Sequence, residues 1–215
     1  MKRIISLLLA AVLTALIFSS FAGCGKKGGK PDGTDTSDKA SESSGNLTDG
    51  GEKNESVSNV LELLTKVWDS YSDDEKFPAM GGDFSEENMK DGAPGRYGIE
   101  DAEALDYNFC LPAASVPLID DAASLVHMMN ANTFTCGAFR LRDKKDISDF
   151  AASLSGAISE RQWICGFPDK YVIISVDDYI ISAFGHEDPV NTLKAKVTDI
   201  YKSASVLYDA PLNTD

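Results

Sequence analysis

The chain has 215 residues and carries 34 Asp and Glu against 20 Lys and Arg, a formal charge of -14 at neutral pH. Such a field opposes nucleic acid and anionic lipid surfaces, while cationic ligands and basic protein partners stay open. Hydrophobic residues make up 43% of the chain, enough to build a core and too many for a wholly disordered polymer.

The first 24 positions hold no acidic residue. Lys2 and Arg3 precede an uncharged run from Ile4 to Ala22 that is rich in Leu, Ile, Val and Ala, the pattern of an export signal. The run ends in Phe21-Ala22-Gly23-Cys24, which resembles the lipobox of bacterial lipoproteins, although Phe21 stands where Leu is most common. That resemblance implies a diacylglyceryl group on the Cys24 thiol, removal of residues 1–23, and residence on the outer face of a bacterial cytoplasmic membrane, with membrane lipid as the first partner. Two other readings stay open: conventional secretory cleavage before Gly23, and an uncleaved anchor whose 19 uncharged residues just meet the roughly 20 that span a bilayer.

Residues 24–55 read as the lipidated cysteine and a disordered linker. From Gly25 to Glu55 there are seven Gly, and only Ala40 and Leu47 are apolar apart from Pro31, so little surface is available to offset the entropy of ordering. A Gly-rich coil of that length has a root-mean-square span of about 30 Å. Lys26, Lys27 and Lys30 suit an anionic headgroup surface, or simply keep the new N-terminus soluble.

Residues 56–215 are long enough for a single domain and hold 27 Asp and Glu against 13 Lys and Arg. Val57, Val60, Leu61, Leu64, Val67, Trp68 and Tyr71 recur at helical spacing, with Ser56 as a cap. Ser72 to Arg96 reads as loop with one helical turn over Ser85 to Met89. An extended piece follows at Tyr97 to Ile99, then a short helix over Asp101 to Tyr107 and an irregular or edge segment bounded by Pro112 and Pro117. Ser124 to Met129 and Thr133 to Leu141 alternate as two strands around Asn130-Ala131-Asn132. Asp146 to Ile164 reads as a helix capped by Asp146 or Ser148, with Arg161 on its inward stripe. Tyr171 to Val176 and Tyr179 to Phe184 form a hairpin about Asp177-Asp178, and a last helix from Pro189 carries Leu193, Val197, Ile200, Ala204 and Leu207. The expected fold is α+β, an antiparallel four- or five-stranded sheet with helices over one face.

The leader, the acidic Gly/Ser linker and this order of elements resemble a family of small clostridial lipoproteins that carry a domain of unknown function. The likeness is strongest through Thr133-Phe134-Thr135-Cys136-Gly137-Ala138-Phe139-Arg140 and Tyr171-Val172-Ile173-Ile174-Ser175-Val176. It implies an address and a fold, and no mechanism.

No cofactor, metal or catalytic set stands out. Cys110, Cys136 and Cys165 lie beside apolar residues and are expected as buried free thiols, with a Cys136–Cys165 or Cys110–Cys136 bridge as the rival. His186-Glu187-Asp188 reads as a polar loop with Asp188 capping a helix, against a metal site. Asp120, Asp121 and His127 invite an acid-base reading, with Asp121 more simply a cap. Asp177-Asp178 suits a turn, and Asp73-Asp74-Glu75 and Asp83 to Glu87 lack the spacing of a calcium loop. Phe77 to Gly82, bordered by Trp68, Tyr71 and Tyr97, is either a recognition loop or a seal on the sheet. The expected function is a membrane-anchored module that binds a small molecule or an envelope protein; an envelope hydrolase and a structural partner of a membrane complex are the alternatives.

Overall fold

The computed structural model describes residues 57–83, 85–164 and 166–212. The leader, Cys24, the linker, Ser56 and Cys165 lie outside them. No described helix is long and apolar enough to cross a membrane.

Helix α1, Val60–Asp69, buries Val60, Leu63, Leu64, Val67 and Trp68 on the stripe that the spacing predicts. Its cap is Asn59, whose side chain accepts from the Glu62 amide. Three short strands follow, β1 (Ala79–Gly81), β2 (Lys90–Asp91) and β3 (Gly95–Arg96). Helix α2, Ala102–Phe109, starts at Asp101, which accepts from two amides of the first turn, and ends at Cys110 in the left-handed conformation. A 3-10 helix over Ala113–Leu118 leads into β4, Ile119–His127. A 3-10 turn at Ala131–Thr133 then leads into β5, Phe134–Leu141. Helix α3 is Ile147–Glu160, β6 is Lys170–Val176, β7 is Tyr179–Gly185, α4 is Glu187–Ile200 and β8 is Ser205–Pro211.

The expected class, antiparallel α+β, holds in outline, but the four- or five-stranded count does not. The sheet has eight strands in the order β2-β1-β4-β5-β7-β6-β8, with β3 also on β4, and every pairing is antiparallel. Strands β1 to β3 have two or three residues each, too few to show a period of two. They pack through backbone: a Cβ added at Gly81 would lie 2.2 Å from the Gly95 amide nitrogen. Strand β8 takes residues expected in the last helix. That helix stops at Ile200, Tyr201 turns extended, and the β-prone Val206-Leu207-Tyr208 pairs with β6. Strand β4 begins earlier than its apolar run because a register shift between Ile119 and Asp121 accommodates the two Asp.

Helices cover both faces, not one. Beneath α1 and α4, Leu63, Val67, Leu125, Cys136, Ile174, Ile181, Leu193 and Val197 form one core. Beneath α2 and α3, Leu105, Phe109, Phe139, Phe150, Leu154, Ile173 and Ile180 form the other. Gly137 makes the second possible, since a Cβ there would meet the Phe109 and Phe139 rings at 2.9 Å.

Candidate functional site

At the end of the sheet where β4 turns into β5, the second face is not fully covered. Val126, Thr135 and Phe184, from β4, β5 and β7, form the floor of a cavity of about 390 Å³. Tyr107 and Asn108 at the end of α2 form one wall, and Arg161, Gln162, Trp163 and Ile164 form the other. A second cavity of about 170 Å³ adjoins it, sharing Asn108, Val126 and Ala131 and bordered by Met80, Tyr97, Met128 and Met129.

Both walls depend on Arg161. Helix α3 ends at Glu160 rather than at Ile164, and Arg161 leaves it with extended backbone. Its guanidinium donates to the carbonyls of Asp106 and Tyr107 at 2.8 and 2.7 Å, the first of which also accepts from the Cys110 amide at 2.9 Å. It also lies 5.7 and 5.9 Å from the ring centres of Tyr107 and Trp163. Trp163 in turn rests on Phe184, with centroids 5.0 Å apart. The termination of α3 therefore clamps two helices and releases Trp163 and Ile164 to line the groove.

Polar groups in the floor and rim hold the shape. Thr135 Oγ1 donates to the Ala131 carbonyl at 2.9 Å, and Asn132 Nδ2 to that of Gly166 at 3.2 Å. Asn108 Nδ2 donates to Tyr97 Oη and to the Ala104 carbonyl. Around this frame Tyr107 is 76% exposed, Met129 75% and Ile164 90%. With Met128 they are four of the seven large hydrophobics exposed among the described residues, the others being Met89, Phe167 and Val206. Grouped exposure of this kind differs from scattered single apolar residues, which are ordinary on any surface.

The polar residues singled out from sequence are used elsewhere. Asp121 Oδ2 accepts from the Val60 amide at 3.0 Å, so it caps α1 from β4 and also pairs with Arg96 at 3.5 Å. Asp120 pairs with Arg140 at 2.6 Å. His127 Nδ1 accepts from the amides of Met129 and Asn130 at 3.3 Å, and its ring stacks on Phe77. His186, Glu187 and Asp188 are exposed, and the Glu187 amide is capped by Asp169 rather than by Asp188. Asp177 has positive φ in the β6–β7 turn. Phe77 packs against Trp68 and Phe134, sealing the first core, while Met80 and Tyr97 border the smaller cavity. Glu75 pairs with Lys196 at 2.7 Å. Among the described residues there is no group of three or more His, Cys, Asp or Glu that could hold a metal ion.

Cys110 and Cys136 are buried and free, so the Cys110–Cys136 bridge is not formed. Burial pushes the Cys110 thiol up to about 11 against the opposing pull of Arg161, and pushes Cys136 up as well. Both stay protonated and unreactive at neutral pH.

Comparison of the chain with family models, with curated proteins and with solved structures finds no match.

Proposed function

We propose that this chain is a bacterial envelope lipoprotein, held by Cys24 on the outer face of the cytoplasmic membrane, whose domain recognises a ligand or an envelope protein through the groove. The observation that carries the reading is the gathering of Tyr107, Met128, Met129 and Ile164 around one pair of cavities. The Phe21-Ala22-Gly23-Cys24 pattern supports the anchor, in the manner of the small clostridial lipoproteins that the strand segments resemble.

The first described residue lies at the far end of the sheet from the groove. Val57 accepts through its carbonyl from Tyr179 Oη at 3.2 Å, at the end of β7 where it leaves the β6–β7 turn. The groove lies at the opposite end, where β5 begins, roughly 20 Å away at about 3.4 Å per residue.

Two measurements test this. Nile red, a neutral apolar dye, should saturate the domain and lose its fluorescence gain with Ile164→Asp or Met129→Asp, but keep it with Met89→Asp or Val206→Asp. Equal dye uptake in all four variants would remove the groove from the account. Intact mass of protein extracted from membranes should show a chain beginning at Cys24 with acyl chains attached; an unacylated chain free in the medium would overturn the anchor.

A further inference from the structure

The groove is elongated, made of two adjoining cavities, and its surroundings are not electrically neutral. Asp101, Glu103 and Asp106 border a shallow depression on the outside of α2 that shares Tyr107, Asn108 and Arg161 with the larger cavity. Arg161 keeps its positive charge while donating to the carbonyl oxygens at the end of α2, so it offsets the three carboxylates only in part. One flank is therefore acidic, with three carboxylates to one cation, in a chain of net negative charge.

Resting on the reading of the groove as a binding surface, we propose that its occupant is an apolar polypeptide segment flanked by Lys or Arg, its cations lying along Asp101, Glu103 and Asp106. Two joined depressions suit successive apolar side chains of an extended or helical segment. Met128 and Met129 on the rim are unbranched and polarizable, which lets one surface adapt to side chains of different shape. Opposite charge at the flank steers the encounter and rejects acidic competitors.

Other occupants fit less well. The chain's own linker offers only Ala40 and Leu47, with Pro31, to an apolar groove. A second copy would bring another acidic flank against this one, and an anionic lipid surface would meet the same repulsion.

The test uses the full-length protein in zwitterionic lipid nanodiscs, with empty discs as the blank. The probes are three fluorescein-labelled synthetic peptides: a Leu/Phe segment closed at each end by two Lys, a twin with Glu for Lys, and a twin with Ser for Leu and Phe. The Lys-flanked peptide should raise anisotropy saturably, and both twins should bind at least about tenfold more weakly. Raising the salt to 0.5 M should weaken the Lys peptide about threefold or more, since the flank is exposed and screened. Glu103→Lys should weaken it about fivefold while leaving Nile red uptake unchanged, because Glu103 is exposed, borders the flank and lines neither cavity.

Equal or tighter binding of the Glu twin would overturn the partner class, and retained Ile164-dependent Nile red uptake would show that the groove itself survives. Loss of both dye and peptide binding would overturn the two readings together. Saturable attachment to anionic vesicles without peptide binding, or a dimer in sedimentation that Ile164→Asp dissolves, would also overturn the proposal.

Discussion

At the end of the sheet where β6 turns into β7, side chains are consumed by the fold. Asp121 closes the start of α1, Asp120 holds Arg140, and the Tyr179 hydroxyl donates to the Val57 carbonyl. At the other end, where β4 turns into β5, Arg161, Thr135 and Asn108 are equally well bonded, yet Met129, Tyr107 and Ile164 are left in water. The contrast separates two kinds of exposure. Charged groups at the first end cost little in solvent, whereas a gathered apolar rim forgoes burial worth about 25 cal/mol per Å².

If this contrast is right, substitutions should damage stability in the order of how closed their surroundings are. Phe139 is fully buried between the rings of Phe109 and Phe150, so Phe139→Ala should lower the unfolding free energy by about 3–5 kcal/mol in urea titration. A loss below about 1 kcal/mol would mean that the second core is loosely packed. Asp121→Ala should cost about 2 kcal/mol, because it strips an acceptor from the α1 terminus and unpairs Arg96. Asn59→Ala, which removes the cap bond to Glu62, should cost about 1 kcal/mol by the same assay.

Acid tests the border between the two regions. Burial is the largest single influence on Asp83 and raises its pKa, but hydrogen bonds from Ser85, Asn88 and Gly98 together outweigh it and hold the carboxyl at about 2. The unfolded chain binds that proton near pH 4. The stabilisation is therefore complete above about pH 4 and disappears as pH falls towards 2. The stability gap between the wild-type protein and Asp83→Asn should shrink over that window; a gap that stays constant would contradict the assignment.

The smallest effect is expected at the open end. Ile164→Asp should change stability by no more than about 0.5 kcal/mol, since the side chain is 90% exposed. A large destabilisation would turn the rim into ordinary packing and dissolve the comparison.

Much of the frame was legible from periodicity. The stripe of α1, the alternation of β5 and the Asp177-Asp178 turn all rest on local pattern, and the structure repeats it. Strands β1 to β3 were not legible because two or three residues carry no period and their packing is backbone against backbone at Gly81 and Gly95. Strand β8 was misread because Ala204 and Leu207 also fit a helical spacing, while its pairing with β6 is a long-range choice. The site was hidden for a related reason. Arg161, Trp163 and Ile164 continue the apolar pattern of α3, and only the carbonyls of Asp106 and Tyr107, more than fifty residues earlier, draw Arg161 out of the helix. An arginine and a tryptophan at a helix end, preceding Gly166, were the available signal.

Methionine methyl resonances offer the most direct test, since Met128 and Met129 line the smaller cavity whereas Met89 is exposed and lines neither. In protein labelled at the methionine methyl carbon and titrated with Nile red or the Lys-flanked peptide, the account predicts saturable shifts of the Met128 and Met129 signals and an unmoved Met89. Shifts of Met89 as large as theirs, or unmoved Met128 and Met129 while the ligand binds, would contradict it.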